Sequence, residues 1–257
     1  MSDAPEFTGE RLHAGDPLFA LDLARHEAAY QIAKARIGAG RVLDLGCGSG
    51  YGAAGLAASS ARVVALDRVP PDPASRRGAA RFVRADLAAL PLASGAFELV
   101  ASFQVIEHLL DPGPYLDAIA HCLAPGGTAI LTTPNLLRSD GVNPYHVHEY
   151  RAEELAALLR TRFREVEMRG IGATAPIDAA LEARSRRIRR IVRLDPLRLR
   201  ERLPRALVLR LFALFAVLVR RRASASEGLP PVSWRDFPVG PADARCLDLV
   251  AVCRDPV

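Results

Sequence analysis

The chain has 257 residues, half of them apolar, and a formal net charge of +5. That length suits one α/β domain with an insertion better than two full domains, and no apolar run reaches the roughly 18 residues that a membrane-spanning helix needs. Of the 34 basic residues 33 are arginine and only Lys34 is lysine, which indicates the codon bias of a GC-rich genome more than selection for a polyanionic partner.

The first periodic segment is helical and runs from about residue 17 to residue 37. Its apolar residues, among them Leu21 and Ile32, recur at helical spacing. His26 and Tyr30 are four residues apart and therefore share a face of the helix. Two interpretations stay open: a covering helix with two polar groups at its surface, or a lid over a bound ligand.

The rest of the chain is organised around a strand that breaks into glycines. The apolar run Val42-Leu43-Asp44-Leu45 predicts a buried parallel strand, and Gly46, Gly48, Gly50 and Gly52 follow it at alternate positions. Glycines let the backbone turn sharply and approach a ligand closely. Because a helical pattern begins directly after them, the segment predicts a nucleotide pocket at the C-terminal edge of a sheet.

The acid before this loop selects among nucleotides. Asp44 precedes the first glycine by two residues, and a buried carboxylate there would repel a pyrophosphate but suit a ligand with positive charge. S-adenosylmethionine (SAM) carries an ammonium and a sulfonium and no phosphate. The stretch resembles motif I, D/E-x-G-x-G-x-G, of the class I SAM-dependent methyltransferases. That resemblance implies that SAM lies against Gly46, Cys47, Gly48 and Gly50.

The next two predicted strands each end near an acid. The run 62–66 ends in Asp67, which follows the loop by about 20 residues, as does the acid that accepts both ribose hydroxyls in dinucleotide-binding folds. The run 81–84 is followed by Asp86. The resemblance implies that this acid meets the exocyclic amine of adenine.

A fourth strand is predicted at 98–102, and Phe103 and Gln104 at its end are expected to line the cofactor pocket. The remaining pattern predicts helices at 112–123 and 152–159 and strands at 128–133, 163–168 and 246–253. This alternation predicts right-handed crossovers. The expected fold is α/β: a Rossmann-like seven-stranded, mostly parallel sheet with an N-terminal lid helix and a basic helical insertion before the last strand.

The resemblance also implies that the last two strands pair antiparallel as a hairpin at the sheet edge. The expected units are a lid segment at 1–40, a SAM-binding core at 41–170, a basic helical insertion or cap at 171–243, and the last core strand at 244–257.

Three histidines follow the fourth and fifth strands. His108, His146 and His148 are expected to meet at one edge, because the ends of neighbouring parallel strands lie together. Methyl transfer to a hydroxyl needs in-line attack on the methyl group and removal of the hydroxyl proton, which histidine accepts readily at neutral pH. These histidines are therefore candidate bases for O-methylation, with Glu107 orienting one of them. They could instead only order the loop and cap its helix.

The same residues resemble two groups of O-methyltransferases, those of ubiquinone biosynthesis and those that act on the 2′-hydroxyl of small RNAs. Both carry E-x-x-E-H after strand four as ligands for a divalent metal, and the RNA enzymes add a later histidine that matches His146. In this chain Gln104 replaces the first glutamate. Because Mg²⁺ prefers oxygen ligands, a softer metal or none is expected, and metal-free base catalysis is the preferred interpretation.

The predicted insertion has a distinct composition. Residues 184–222 hold fourteen arginines and two acids, and the 13-residue stretch 207–219 is apolar apart from Arg210. The segment could cap the acceptor site, form a dimer contact, or lie on a membrane surface with its arginines at the headgroups. Nucleic acid is disfavoured because interleaved aromatic residues are missing. The oligomeric state is not predicted.

The sequence thus predicts a SAM-dependent O-methyltransferase. Three segments, F-T-G-E-R at residues 7–11, T-P-N at 133–135 and N-P-Y-H-V-H-E-Y at 143–150, resemble bacterial methyltransferases of polysaccharide and glycolipid synthesis, which implies a sugar, glycolipid or other small or lipid-linked acceptor. A catalytically silent SAM-binding protein and an NAD-dependent oxidoreductase remain alternatives. Four cysteines without metal-type spacing and no signal-peptide pattern predict a cytoplasmic location, with peripheral contact to the inner membrane face as a further option.

Overall fold

The structure is a computed structural model and describes residues 12, 19–59, 62–86, 91–193 and 231–257. Its helices are α1 (Ala20–Lys34), α2 (Tyr51–Ala57), α3 (Gly113–Cys122), α4 (Ala152–Leu159) and α5 (Ala175–Arg193). Its strands are β1 (Arg41–Leu45), β2 (Arg62–Asp67), β3 (Arg81–Arg84), β4 (Phe97–Phe103), β5 (Leu123–Pro134), β6 (Phe163–Ile171), β7 (Val239–Pro241) and β8 (Asp248–Pro256). Short 3-10 turns lie at Ser75–Arg77, Ile106–His108 and Trp234–Asp236.

The strands form one sheet in the order β3-β2-β1-β4-β5-β8-β6-β7. The first five of these strands are parallel to one another, so the C-terminal ends of β1, β2 and β4 lie at one edge. The mostly parallel α/β sheet is confirmed. The expected count of seven strands is wrong, because β7 adds an eighth inside the predicted insertion. This three-residue strand contains a glycine and a proline, so it lacks the apolar alternation that predicts a strand.

The last long strand, β8, lies between β5 and β6 and is antiparallel to both. The expected antiparallel pairing of β6 with the last strand is therefore confirmed. Their position at the sheet edge is not, since β7 covers the outer side of β6.

Two apolar cores cover the faces of the sheet. Alternate residues of β4 belong to different cores: Leu99, Ala101 and Phe103 pack with α1 and α2, whereas Val100 packs with α3 and α4. This period of two is what a strand buried on both faces requires. The result is a three-layer arrangement that leaves the C-terminal edge of the parallel strands available for a site.

The N-terminal helix α1 is shorter than predicted and packs directly on the sheet. Its buried residues include Ala28, Tyr30 and Ala33. Before the helix, the carbonyl of Leu12 accepts a hydrogen bond from Ser49 Oγ at 2.6 Å, so the chain touches the glycine loop at this residue. The other residues of the predicted lid segment before 19 lie outside the described residues.

The described parts of the predicted insertion 171–243 are α5, a capped turn and β7. Ser233 and Asp236 form a capping box at the start of the turn. The predicted basic and apolar stretch 184–222 falls within the described residues only up to the end of α5, and 194–230 lie outside them. None of the described helices has both the length and the apolar character needed to cross a bilayer.

Candidate active site

The glycine loop between β1 and α2 is built from left-handed backbone. Gly46, Gly48 and Gly50 have φ angles of +81°, +56° and +84°, a region that side chains rarely tolerate. A Cβ atom at Gly46 would lie 2.5 Å from Val105 Cγ2, and one at Gly50 would lie 2.7 Å from Phe82 Cε1. A Cβ at Gly48 would meet nothing within 4 Å. Gly46 and Gly50 therefore serve packing, whereas Gly48 faces open space that a ligand can enter.

Backbone hydrogen bonds hold the loop against the second strand. The N–H groups of Gly46 and Cys47 both donate to the carbonyl of Leu66, at 2.8 and 3.1 Å. The Cys47 side chain is buried in the core. Only the backbone of this residue can therefore contribute to a ligand site.

Two acids flank the loop in different environments. Asp67 is partly exposed and accepts hydrogen bonds from the N–H groups of Gly48 and Val69, each at 2.9 Å. Asp44 is only 1% exposed and accepts a hydrogen bond from the Tyr30 hydroxyl at 3.1 Å. Burial raises the pKa of Asp44 to about 7, against the effect of the Tyr30 hydrogen bond and with a contribution from the negative charge of Asp67. A cationic group beside Asp44 would restore its ionised form.

A network of side-chain contacts at the ends of the strands combines α1, β4 and β8. The Phe103 ring packs edge-on against Tyr30 with the ring centroids 4.8 Å apart. Gln104 has a φ of +57°, and its side-chain N–H donates to Asp248 Oδ1 at 3.1 Å. Asp248 is buried and forms an ion pair with Arg25 of α1. This chain of contacts joins the N-terminal helix to the end of β4.

The third predicted acid is more peripheral. Asp86 is exposed and lies two residues past β3. The preceding residue, Ala85, donates its N–H to the carbonyl of Asp67 at 3.2 Å, which keeps this segment beside the end of β2.

A second polar cluster, here called the histidine cluster, consists of Glu107, His108 and His146. One side-chain nitrogen or oxygen from each residue lies within 4.8 Å of the others. The two imidazole rings pack edge-on with centroids 5.1 Å apart. The Glu107 carbonyl accepts hydrogen bonds from the N–H groups of Val147 and His148, at 2.7 and 3.2 Å, and so ties the loop after β5 to the end of β4.

Hydrogen bonds assign the tautomers of both rings. His108 Nδ1 lies 3.0 Å from the carbonyl oxygen of Tyr145, and His146 Nδ1 lies 2.6 Å from Glu149 Oε1. Carbonyl and carboxylate oxygens only accept, so Nδ1 carries the proton in each ring and Nε2 carries the lone pair of the neutral form. Although burial opposes ionisation, hydrogen bonds from His146 and Ser139 hold the pKa of Glu149 below its usual range.

The pKa of Glu107 is shifted in the opposite direction from that of Glu149. Its side chain is fully buried, and Oε2 accepts a hydrogen bond from Thr133 Oγ1 at 3.0 Å. Its other oxygen, Oε1, has no hydrogen-bond partner among the described residues. Burial raises the pKa of Glu107 to about 8, even though hydrogen bonds and the nearby His146 favour the ionised form. At neutral pH this side chain is therefore largely protonated in the absence of a ligand.

His148 does not join the histidine cluster. Its side chain is 49% exposed and its Nε2 lies 2.6 Å from Glu154 Oε1 on α4. The expectation that all three histidines meet is thus corrected. The hydrogen bond to Glu154 holds the His148 ring at the start of α4 and away from the other two histidines.

Comparison with known proteins decides the family. A family model described as a methyltransferase domain matches residues 21–169, more than half of the chain. The chain belongs to this methyltransferase family. A probable SAM-dependent methyltransferase from Mycolicibacterium smegmatis is 38% identical over 177 residues, which cover 65% of this chain and 68% of the relative. A ubiquinone biosynthesis O-methyltransferase from Xylella fastidiosa is 33% identical over 171 residues, which cover 56% of this chain and 68% of the relative.

This methyltransferase spans only 57% of the length of relatives that it matches in Mycobacterium tuberculosis. Among solved structures, a SAM-dependent methyltransferase from Thermotoga maritima, a possible histamine N-methyltransferase, covers 91% of both chains with a TM-score of 0.59 at 15% identity. That likeness shows the fold. The expected class I SAM-dependent methyltransferase, with SAM as its cofactor, is confirmed, and the oxidoreductase alternative is not supported.

Several residues of the candidate site are not predicted from the sequence. Glu149 stands three residues after His146, a spacing that could have indicated the pair. Tyr30 was noted for its helical face, and the structure buries it against Asp44 rather than at the surface. Arg25 and Asp248 are 223 residues apart, and no local pattern connects them.

Proposed function

We propose that this methyltransferase binds SAM across the glycine loop, with Asp44 facing the amino group of the methionine part. The support is the buried carboxylate at the end of β1 and the open space beside Gly48. Asp67 would accept the ribose hydroxyls with the oxygens that now accept from Gly48 and Val69.

The remaining contacts of the proposed cofactor site come from three other residues. Asp86 would accept from the adenine amine, and Phe103 and Gln104 would form the wall. The helix α1, with the chain before it, would act as a lid, since Leu12 already contacts the loop through Ser49.

The reaction in this proposal is O-methylation of a hydroxyl on a sugar, a glycolipid or another small or lipid-linked acceptor. The observation that carries it is the Glu149–His146 hydrogen bond of 2.6 Å, at the edge of the sheet where β4 and β5 end. This bond places the proton of a neutral ring on Nδ1 and makes Nε2 the atom that would accept a proton. The acceptor oxygen would attack the SAM methyl group in line, forming the O–C bond while the S–C electron pair returns to sulfur. The hydroxyl proton would pass to histidine Nε2 and then to solvent.

Glu149 is the positioning residue in this mechanism. Its carboxylate fixes the His146 tautomer and stabilises the imidazolium that forms, as carboxylates do beside catalytic histidines elsewhere. His108 presents the same tautomer through the Tyr145 carbonyl, and it is the second candidate base. Glu107, whose side chain accepts a hydrogen bond from Thr133, would orient one of the two histidines.

A metal-assisted reaction is the second candidate. The unpartnered Oε1 of Glu107 and the two histidines offer one oxygen and two nitrogens within 4.8 Å. This donor set fits Zn²⁺ or a similar ion better than Mg²⁺. Such an ion would supply a Lewis acid that acidifies the acceptor hydroxyl.

Methyl transfer to a panel of hydroxyl acceptors, with methyl glycosides and catechols as the first members, tests the proposal by mass detection of the methyl ether. We expect His146→Asn to lower kcat by roughly a hundredfold or more, since a positioned base contributes about that much, while S-adenosylhomocysteine (SAH) binds as in the wild type. The matched control is His148→Asn, which should keep full activity. Loss of activity with EDTA and its return with Zn²⁺ would favour the metal. Unchanged turnover in His146→Asn and His108→Asn would contradict the histidine base.

The acceptor class and the location remain parts of this proposal. The name of the Xylella fastidiosa relative supports a hydroxyl as the methylated group. Contact of residues 184–222 with the inner membrane face, in an otherwise cytoplasmic protein, would bring a lipid-linked acceptor to the site. A flotation assay with anionic vesicles tests that contact.

A further inference from the structure

A cavity lies away from the glycine loop, on the sheet face that α1 covers. It has a volume of about 370 Å³. Its floor is apolar and consists of buried side chains from α1, β8 and the segment after the Trp234–Asp236 turn, namely Ala28, Ile32, Val250, Val252 and Phe237. A buried apolar floor of this size can accept an aliphatic or aromatic group.

The rim of this cavity is basic. Arg36 from the turn after α1, Arg169 from β6 and Arg235 from the Trp234–Asp236 turn all line it, and none of the described residues that line it is acidic. All three arginines are exposed. Three guanidinium groups from three separate elements therefore meet around one apolar floor, an arrangement that favours an anion with an apolar part.

Few described contacts neutralise these arginines. Arg36 Nη1 donates to the carbonyl of Ile32 at 3.1 Å, and the Arg235 guanidinium stacks on Trp234 at 4.6 Å from the ring centroid. Arg169 Nη1 lies 3.5 Å from Glu167 Oε1, but both side chains are 47% exposed, so solvent weakens that ion pair. Each guanidinium has five N–H donors, and these contacts use a minority of them.

The strand register explains why charge and apolar surface meet here. Arg169 of β6 pairs directly with Val250 of β8, and residues opposite each other in antiparallel strands share a face. Val250 and Val252 continue the row that starts at Asp248, at the edge of the cofactor site. Val250 lies about 7 Å along β8 from Asp248, and the described residues that line the cavity include none from the glycine loop.

We propose that this cavity binds an amphipathic anion, an aliphatic or aromatic group that carries a phosphate or a carboxylate. The apolar group lies on Ile32, Val250 and Val252, and the anionic head is held by the arginines. This site does not depend on the proposed reaction, and it implies a ligand other than SAM.

The test uses the fluorescence of Trp234, which lines the cavity and is the single tryptophan of the chain. Dodecyl phosphate, below its micelle concentration, is titrated into the full-length protein, and calorimetry repeats the measurement. We expect saturable binding with a change in Trp234 emission. Inorganic phosphate and the neutral detergent dodecyl maltoside should bind at least tenfold more weakly, because each lacks one half of the ligand.

Three variants, Arg36→Gln, Arg169→Gln and Arg235→Gln, should each weaken dodecyl phosphate roughly tenfold, as expected for loss of a charge-assisted contact. Since all three side chains are exposed, the fold should be retained. Arg164→Gln is the matched control, because Arg164 is an exposed arginine of the same strand that does not line the cavity. SAH affinity should be the same in all of them.

Three results would overturn the proposal: no saturable binding of dodecyl phosphate, equal weakening by Arg164→Gln, or unchanged affinity in the three rim variants. Sedimentation with phosphatidylglycerol vesicles distinguishes the source of the ligand. Binding to vesicles without binding to monomeric dodecyl phosphate would assign the arginines to a membrane surface and refute the cavity site. Binding to both would identify a lipid as the source of the anion.

Discussion

Asp44 should make cofactor binding depend on pH. Burial raises its pKa to about 7 in the ligand-free protein, so at pH 6 most molecules carry a protonated Asp44. The amino group of SAH is a cation, and its binding beside Asp44 would favour the carboxylate and release a proton. Affinity must therefore rise with pH up to about pH 7 and level off above it. Between pH 6 and pH 8 the expected gain is roughly tenfold, or about 1.4 kcal/mol.

Calorimetric titration of SAH at pH 6, 7 and 8 measures this dependence directly. Repeating the pH 6 titration in two buffers of different ionisation enthalpy counts the proton released. His26 does not interfere, because burial lowers its pKa to about 4. Asp44→Asn is the control: it can still accept from Tyr30, and it should bind SAH more weakly and with no change over this range. Wild-type affinity that is constant from pH 6 to pH 8 would refute the assignment of Asp44 to the cationic group.

Four further predictions concern single residues. Gly46→Ala should lower the free energy of unfolding by roughly 2–4 kcal/mol in urea titrations, because it adds a methyl group against Val105 at a positive φ. Gly48→Ala should lower the free energy of unfolding by only about 1–2 kcal/mol but should weaken SAH binding. Equal stability of the two variants would contradict the packing argument. Tyr30→Phe removes a hydrogen bond to the Asp44 carboxylate, so the midpoint of the pH dependence of SAH binding should move upward; a downward shift would contradict it. Arg25→Gln leaves buried Asp248 without its ion-pair partner and should lower the free energy of unfolding by roughly 3 kcal/mol. Adding Asp248→Asn should restore part of this loss in thermal unfolding, whereas additive losses would argue against the ion pair. Glu149→Gln should lower kcat and shift the pH–rate profile without changing SAH affinity, with partial rescue by Glu149→Asp; an unshifted profile would reduce Glu149 to an ordinary loop contact.

The sequence predicts the core of this fold well because its signals are local. The run before Gly46 is apolar and ends in glycines, and strands such as β3 (Arg81–Arg84) coincide with the predicted bounds. Strand β7 (Val239–Pro241) is not predicted, because its three residues include a glycine and a proline and show no alternation of apolar and polar residues. Its pairing with β6 depends on a partner about 70 residues away.

The site is predicted less completely because its contacts are long-range or depend on side-chain direction. The acids at the ends of β1 and β2 follow from their position after apolar runs. His148 was expected beside His146, but the loop turns it toward Glu154, and the sequence does not specify that direction. The ion pair of Arg25 with Asp248 joins the first helix to the last strand, so only the folded sheet reveals it.

The most direct test of the central claim is calorimetric titration of SAH into the wild type and Asp67→Ala, with Asp117→Ala on the exposed surface of α3 as the control. We predict micromolar binding in the wild type and in the control, and at least tenfold weaker binding in Asp67→Ala, since two ribose hydroxyls lose their acceptor. Equal affinity in all three proteins, or no binding to well-folded wild type, would contradict the placement of SAM across the glycine loop.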